Sequence, residues 1–187
     1  GGQLSLATKS TLATLTDFET LIETLPDWVG QGANHNAWNV VPLNASTAQQ
    51  GEPTNATLGQ RVMATQGLGG LQADLSGCLA SPAESVTAFV NQFNLTVDHW
   101  LSFMDDDAAW MEHRTPGTTW QLLVPTGGYG NTSNIAGVPT NTWAGQSSGW
   151  EQAHFALDTV VQSSATLEVR FCFCLLYTSD AADDQAS

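Results

Sequence analysis

The feature that most constrains the fold is a strict alternation of apolar and polar side chains near the end of the chain. Apolar residues occupy every second position over 167–173, and the positions between them include Glu168 and Arg170. Successive side chains of a β-strand point to opposite faces, so this period of two predicts a strand with one buried face. A shorter alternation covers 153–157. The two segments predict an antiparallel pair.

The middle of the chain carries a helical signal instead. Ser81-Pro82-Ala83-Glu84 supplies a capping box, with serine as N-cap, proline at the first helical position and glutamate completing the box. Apolar residues at positions 86, 89, 90 and 93 then fall on one helical face. We therefore expect helical structure over 81–113, before the period changes to two at Trp120.

Shorter segments complete the outline of a single domain over 1–173. A helix is expected over 16–25, where a proline follows the apolar stripe, and a short strand is expected over 38–43. A long polar loop is expected over 126–149. The pattern as a whole favours a mainly β fold with helical insertions. An α+β fold, with a helical middle and a C-terminal antiparallel sheet, is the alternative.

The charge balance is strongly acidic. The 187 residues include 18 Asp and Glu against 4 Lys and Arg, which gives a formal net charge of −14. Proteins neutralise nucleic-acid phosphates mainly with Lys and Arg, so we expect no direct nucleic-acid binding by this segment. The same shortage of cations disfavours anionic membrane surfaces, and no apolar run is long enough to span a bilayer. We expect neither kind of partner.

Residues that could react with a substrate or bind a metal are scattered. The sequence has no glycine-rich phosphate loop, no nucleophile beside a base and no zinc-ligand spacing among its histidines. The cysteines, Cys78, Cys172 and Cys174, imply no disulfide framework. We expect no enzyme and no cofactor. The candidate exception is Ca²⁺, which binds hard oxygen ligands such as carboxylates. The candidate ligands are Asp105, Asp106 and Asp107, although these three residues also suit a solvated loop.

Four N-x-S/T sequons are candidate glycosylation sites. Such asparagines carry glycans when they lie on the surface of a secreted eukaryotic protein. A chain rich in Asn, Ser and Thr also generates sequons by chance. The four candidates are Asn44, Asn55, Asn94 and Asn131.

Seven tryptophans are many for this length, and each can serve a core, an interface or a binding surface. Trp143 and Trp150 flank the polar loop and are the candidates for exposed aromatic side chains that stack on a ligand. The tryptophans in patterned segments are expected in the core: Trp100, Trp110 and Trp120.

The last residues form a separate segment. Residues 174–184 resemble the reading-frame translation of a transposase-type sequencing adapter. We therefore expect 174–187 to be a non-native or disordered tail, and 1–173 to be a fragment of a longer natural chain.

Residues 149–173 resemble the end of a known kind of shell domain. Gly149-Trp150-Glu151 precedes one strand pattern, and after a short polar break the final alternating strand carries Cys172. This arrangement is similar to the last two strands of jelly-roll shell domains in small positive-strand RNA virus capsid proteins of the nodavirus-like and tombusvirus-like kind.

The resemblance implies an antiparallel β-sandwich of jelly-roll type and a structural role without catalysis. The partner would be the protein itself, in a self-assembling shell, and the location would be the virion. Loops over 29–60 and 126–149 would line subunit contacts or the particle exterior. The competing interpretation is an extracellular, N-glycosylated, β-rich protein that binds carbohydrate or another ligand around Trp143 and Trp150.

Overall fold

The computed structural model of the protein is built mainly of β-strands. It describes residues 2–8, 13–16, 28–34, 38–43, 53–56, 61–65, 75–86, 93–103, 106–161 and 166–176. In chain order the strands are β1 (Gly2–Thr8), β2 (Ala13–Thr16), β3 (Val29–Gln31), β4 (Trp38–Pro42), β5 (Arg61–Thr65), β6 (Ser76–Ala80), β7 (Glu84–Ser85), β8 (Phe93–His99), β9 (Ala108–Arg114), β10 (Gln121–Leu123), β11 (Asn131–Thr132), β12 (Asn141–Thr142), β13 (Glu151–Ala156) and β14 (Thr166–Cys174). A single helical turn, α1 (Asp158–Val161), lies between the last two strands.

Two antiparallel sheets organise these strands. The first has the order β13-β8-β1-β2, and the second has the order β10-β9-β14-β6-β3, with β7 also paired to β14. Two small ribbons, β4 with β5 and β11 with β12, complete the described pairing. The mainly β expectation is therefore confirmed.

The two sheets bury their apolar faces in one cluster, as the layers of a sandwich do. The first sheet contributes alternate residues of β8 and β13, and the second contributes the four consecutive residues 108–111 of β9 together with residues of β14. Complete burial of a side chain such as Phe155, which has no exposed surface, contributes roughly 1.5–3 kcal/mol. The principal members of the cluster are Phe93, Leu95, Val97, Ala153, Phe155, Ala109, Met111, Leu167 and Val169.

Among the points where the chain changes sheet are the connections from β6 to β8 and from β13 to β14. Because β6 pairs with β14 while β8 pairs with β13, these two crossovers begin and end on neighbouring strands and run in opposite directions. The expected antiparallel pair of the two C-terminal segments is therefore wrong. Each segment forms a strand, but the strands lie in different sheets and each pairs with an earlier part of the chain.

The helical prediction for 81–113 is also wrong over the described residues of this region, which supply β7, β8 and β9, while 87–92 and 104–105 lie outside the described residues. The hydroxyl of Ser81, expected as a helix N-cap, donates to the carbonyl of Pro82 and accepts a hydrogen bond from the Val169 amide. Backbone pairing of Glu84 with Leu167 replaces the expected capping box. Long-range pairing with β14 thus overrides the local helical preference.

The remaining segments divide into confirmed and untested predictions. The strand predicted over 38–43 is confirmed by β4. The helix predicted over 16–25 lies outside the described residues, apart from Thr16 at the end of β2. Backbone pairing of β14 continues one residue past the expected domain boundary at 173, and Leu175 is buried against Leu75.

A disulfide joins Cys78 to Cys172, which corrects the expectation that the cysteines form no disulfide framework. The two residues face each other directly in the register of β6 and β14, with their Cα atoms 4.0 Å apart. The bond connects positions 94 residues apart in the chain, so it fastens two neighbouring strands of the second sheet. Cys174 takes no part in it.

Candidate functional site

A buried aromatic cluster surrounds Trp143. This residue follows β12 and exchanges two backbone hydrogen bonds with Ala109 on β9, which draws the end of the polar loop into the sandwich. Only 7% of Trp143 is exposed, so its expected surface position is wrong. The rings around it are His99 and Phe171, which stack on it, and Tyr129 and Phe155, which meet it edge-on.

His99 is the unusual member of this cluster. Its ring lies 4.5 Å from the Trp143 ring between centroids, and 3% of the residue is exposed. No described residue makes a hydrogen bond to either ring nitrogen. The Glu151 carboxylate lies 3.8 Å from Nε2. Burial lowers the pKa of His99 below its ordinary value of 6.5, and the Glu151 charge opposes that shift only in part.

Tyr129 fastens the glycine-rich loop to the sheet. Its hydroxyl accepts a hydrogen bond from the Met111 amide at 2.9 Å and donates to the Leu123 carbonyl. Burial raises the pKa of this phenol, since the charged form would lose its hydration. Gly128 and Gly130 on either side have φ values of 81° and 79°, a region that L side chains rarely adopt. The loop can therefore turn sharply around a fixed tyrosine.

A cavity of about 360 Å³ lies over this loop. That volume is at the low end of small-molecule sites, and the cavity is open to solvent. Its walls offer amides, a hydroxyl and apolar surface, with no carboxylate or cation. They are formed by Val124, Gly128, Tyr129, Gly130, Asn131, Thr132 and Asn141.

An ionic ladder crosses the outer face of the second sheet. Arg114 Nε donates to Glu168 Oε2 at 2.6 Å, and Arg170 pairs with Glu112. Both guanidinium groups lie 4.3 Å from the ring centroid of Trp120. The four charged side chains are between 14% and 27% exposed, so each charge has an opposite partner in a partly desolvated position.

The described sequon asparagines all lie on the surface. Asn55 and Asn131 are exposed in loop and ribbon positions, and Asn94 is exposed on β8. Asn44 lies outside the described residues. Nothing in the fold brings the three together, so they form separate candidate modification sites and no common pocket.

The aspartates expected to bind Ca²⁺ have different positions. Asp106 is exposed in a turn, whereas Asp107 is buried and accepts a hydrogen bond from the Leu176 amide at 3.0 Å. Asp105 lies outside the described residues. Within the described ranges, no group of three or more His, Cys, Asp or Glu residues is placed to share a metal ion. Ca²⁺ binding stays a prediction.

The other expected tryptophans vary in burial. Trp110 is buried as expected, while Trp100 and Trp120 are only half-buried. Trp150, expected on the surface, is half-buried, and its Nε1 donates to the Asn55 carbonyl at 2.7 Å. Its ring also meets Trp100 edge-on. These contacts leave no pair of exposed tryptophan faces at 143 and 150 for a sugar to cover.

The ionic ladder has a signal in the sequence that hydrophobic periodicity does not reveal. Glu112-His113-Arg114 and Glu168-Val169-Arg170 have the same Glu-x-Arg order. When two such segments pair antiparallel in register, each glutamate meets an arginine, as β9 and β14 do. His99 and Tyr129 have no comparable local signal.

Comparison with known proteins identified no relative of this chain. No protein-family model matches the chain, and no match was found among curated proteins or among solved structures. In the part of the chain that the structure describes, no helix is long and apolar enough to cross a membrane.

Proposed function

We propose that this chain is a structural subunit of a viral capsid that assembles with copies of itself and carries out no catalysis. The observation that carries the proposal is the pair of adjacent crossovers. β6 and β14 pair within the second sheet, and β8 and β13 pair within the first, so the connections from β6 to β8 and from β13 to β14 both pass from one sheet to the other. Nested antiparallel crossovers of this kind are how a jelly roll is wound, and capsid shells are a common use of that architecture.

Two further features support the proposal. Residues 149–173, which resemble the end of a capsid shell domain, form β13, α1 and β14, so the sequence resemblance falls on one of the two crossovers. In addition, Lys occurs only once in the chain, at Lys9, and lysine is depleted at protein interfaces.

The test is self-association of the full chain. Sedimentation velocity over a concentration series, followed by negative-stain electron microscopy, should show oligomers or closed particles that dissociate on dilution. Cys174→Ser is the control, because assembly that depends on intermolecular disulfides would disappear in it. A chain that stays monomeric up to its solubility limit, in both low and high salt, would overturn the proposal.

The second candidate is a secreted glycoprotein, which two observations favour. The Cys78–Cys172 disulfide is typical of oxidising compartments, and the three described sequon asparagines are exposed. Secretion from eukaryotic cells behind an added signal peptide, followed by N-glycosidase treatment, should then increase gel mobility. Single Asn→Gln changes at positions 55, 94 and 131 would assign the occupied sites. Absence of any mobility shift would remove this candidate.

A further inference from the structure

A long part of the chain carries no charge at all. Residues 115–150 contain no Asp, Glu, Lys, Arg or His, although the formal net charge of the chain is −14. The acidic residues must therefore lie elsewhere. Any face built from this stretch differs from the rest of the surface in its electrostatic character.

Part of this stretch forms β10, at one end of the second sheet, and the cavity that follows it in the chain. Val124 is 50% exposed, and it lines the same cavity as Gly128, Asn131 and Asn141. β10 is the terminal strand of the described sheet and carries no charged side chain. We call the exposed residues of 121–142 the uncharged surface.

We propose that the uncharged surface is where a second copy of this chain docks. This inference rests on the proposed self-assembly and names the face that performs it. Two copies with the same large negative charge repel each other at every contact rich in carboxylates. A contact between uncharged surfaces avoids placing like charges opposite each other, while polar amides and hydroxyls can still form hydrogen bonds across it.

Two observations favour an identical copy over a different partner. A basic partner would be attracted to the acidic parts of the chain, so charge complementarity does not direct it to the uncharged surface. Both terminal strands of the second sheet, β10 and β3, lack the charged residues that usually prevent such strands from pairing with another chain, but only β10 leads into the uncharged stretch. The exposed side chain of Val124, directly after this strand, provides apolar area beside it.

The chain offers a matched pair of variants. Val124 and Val29 are both exposed valines, at 50% and 58%. Val124 directly follows β10 and Val29 lies on β3, and these strands are at opposite ends of the order of the second sheet. Val124→Asp places a carboxylate in the uncharged surface, whereas Val29→Asp places the same group at the other end. Sedimentation equilibrium should show at least about a tenfold weaker association constant for V124D, equivalent to a cost of about 1.4 kcal/mol. The constant for V29D should stay within about twofold of wild type.

Salt dependence supplies an independent readout. Raising NaCl from about 50 mM to about 500 mM screens the repulsion between acidic copies, so association of the wild type should strengthen. An interface held by ion pairs would weaken under the same change, and that result would overturn the inference. Circular dichroism of both variants verifies that they are folded.

The outcomes separate this inference from the proposed function. A wild-type chain that never associates defeats the proposed self-assembly. A wild-type chain that associates, together with a V124D variant that associates equally well, defeats only the placement of the docking surface. Loss of association in V29D with retention in V124D would also overturn the placement.

Discussion

Cys78 and Cys172 lie directly opposite each other on β6 and β14 and are joined by a disulfide. Because the bond closes a loop of 94 residues, its removal should increase the conformational entropy of the unfolded chain and so favour unfolding. We predict that Cys78→Ser with Cys172→Ser lowers the free energy of unfolding by about 2–5 kcal/mol. Urea denaturation measures this, and Cys174→Ser, which changes a cysteine outside the disulfide, is the matched control and should lower the midpoint less than the double change does. Equal midpoints for all three proteins would contradict the prediction.

The ionic ladder should be energetically coupled. Arg170 and Glu112 are each less than 20% exposed, so removing one charge leaves the other partly desolvated without its partner. We predict that Glu112→Gln lowers the free energy of unfolding by about 1–3 kcal/mol. A double-mutant cycle with Arg170→Met should give a coupling energy of about 1 kcal/mol or more. A coupling energy within error of zero would show that the pair contributes nothing.

The burial of His99 should weaken the fold in acid. Its pKa is below 6.5 in the folded chain, so the unfolded chain takes up the proton first as pH falls. The free energy of unfolding should therefore decrease from about pH 6.5 down to the folded-state pKa and then level off. Urea midpoints measured between about pH 7.5 and about pH 5.5 test this.

Two variants isolate the contribution of His99 to that acid response. His99→Phe keeps a ring against Trp143 but cannot take up a proton, so its midpoint should depend less on pH. His113, whose pKa is also lowered by burial, supplies a residual slope in that variant. His113→Asn, the second variant, should remove this residual part and leave the larger contribution of His99 in place. An identical slope in H99F and wild type would assign the effect to other residues.

Trp143 and Trp150 should respond very differently to truncation. Trp143→Ala removes a buried ring from the centre of the aromatic cluster, and we predict a loss of about 3–5 kcal/mol in the free energy of unfolding. Trp150→Ala removes one hydrogen bond and a half-buried ring, so about 1–2 kcal/mol is expected. Thermal or urea unfolding followed by circular dichroism measures both. A larger loss for W150A would contradict the placement of the two rings.

The contrast between β14 and β8 shows how far local patterns predict this fold. β14 alternates over its whole length, and no helical spacing competes with the alternation. β8 also alternates, but its apolar positions 93 and 97 are four residues apart. That spacing is compatible with both a helix and a strand, and the capping-box residues nearby led to the wrong prediction of a helix. Pairing with β13 and β1, which local sequence does not reveal, makes this segment a strand.

The candidate site was less predictable because it depends on long-range register. Trp143 has polar sequence neighbours, and its burial results from pairing with Ala109. The disulfide requires two strands 94 residues apart to pair at one particular register. The exposed sequon asparagines, by contrast, could be named from three-residue motifs alone, since the motif itself favours a polar surface position.

The position of β14 has a consequence for how this protein is made. As the last described strand, it emerges from the ribosome after β6, β7 and β9, yet it pairs with all three. The second sheet therefore cannot close until β14 has been synthesised, and until then β6 and β9 lack the strand that pairs with both of them. Such non-local closure makes folding slow and exposes the nascent chain to aggregation. Chaperone binding during translation should protect β6 and β9 until β14 is released.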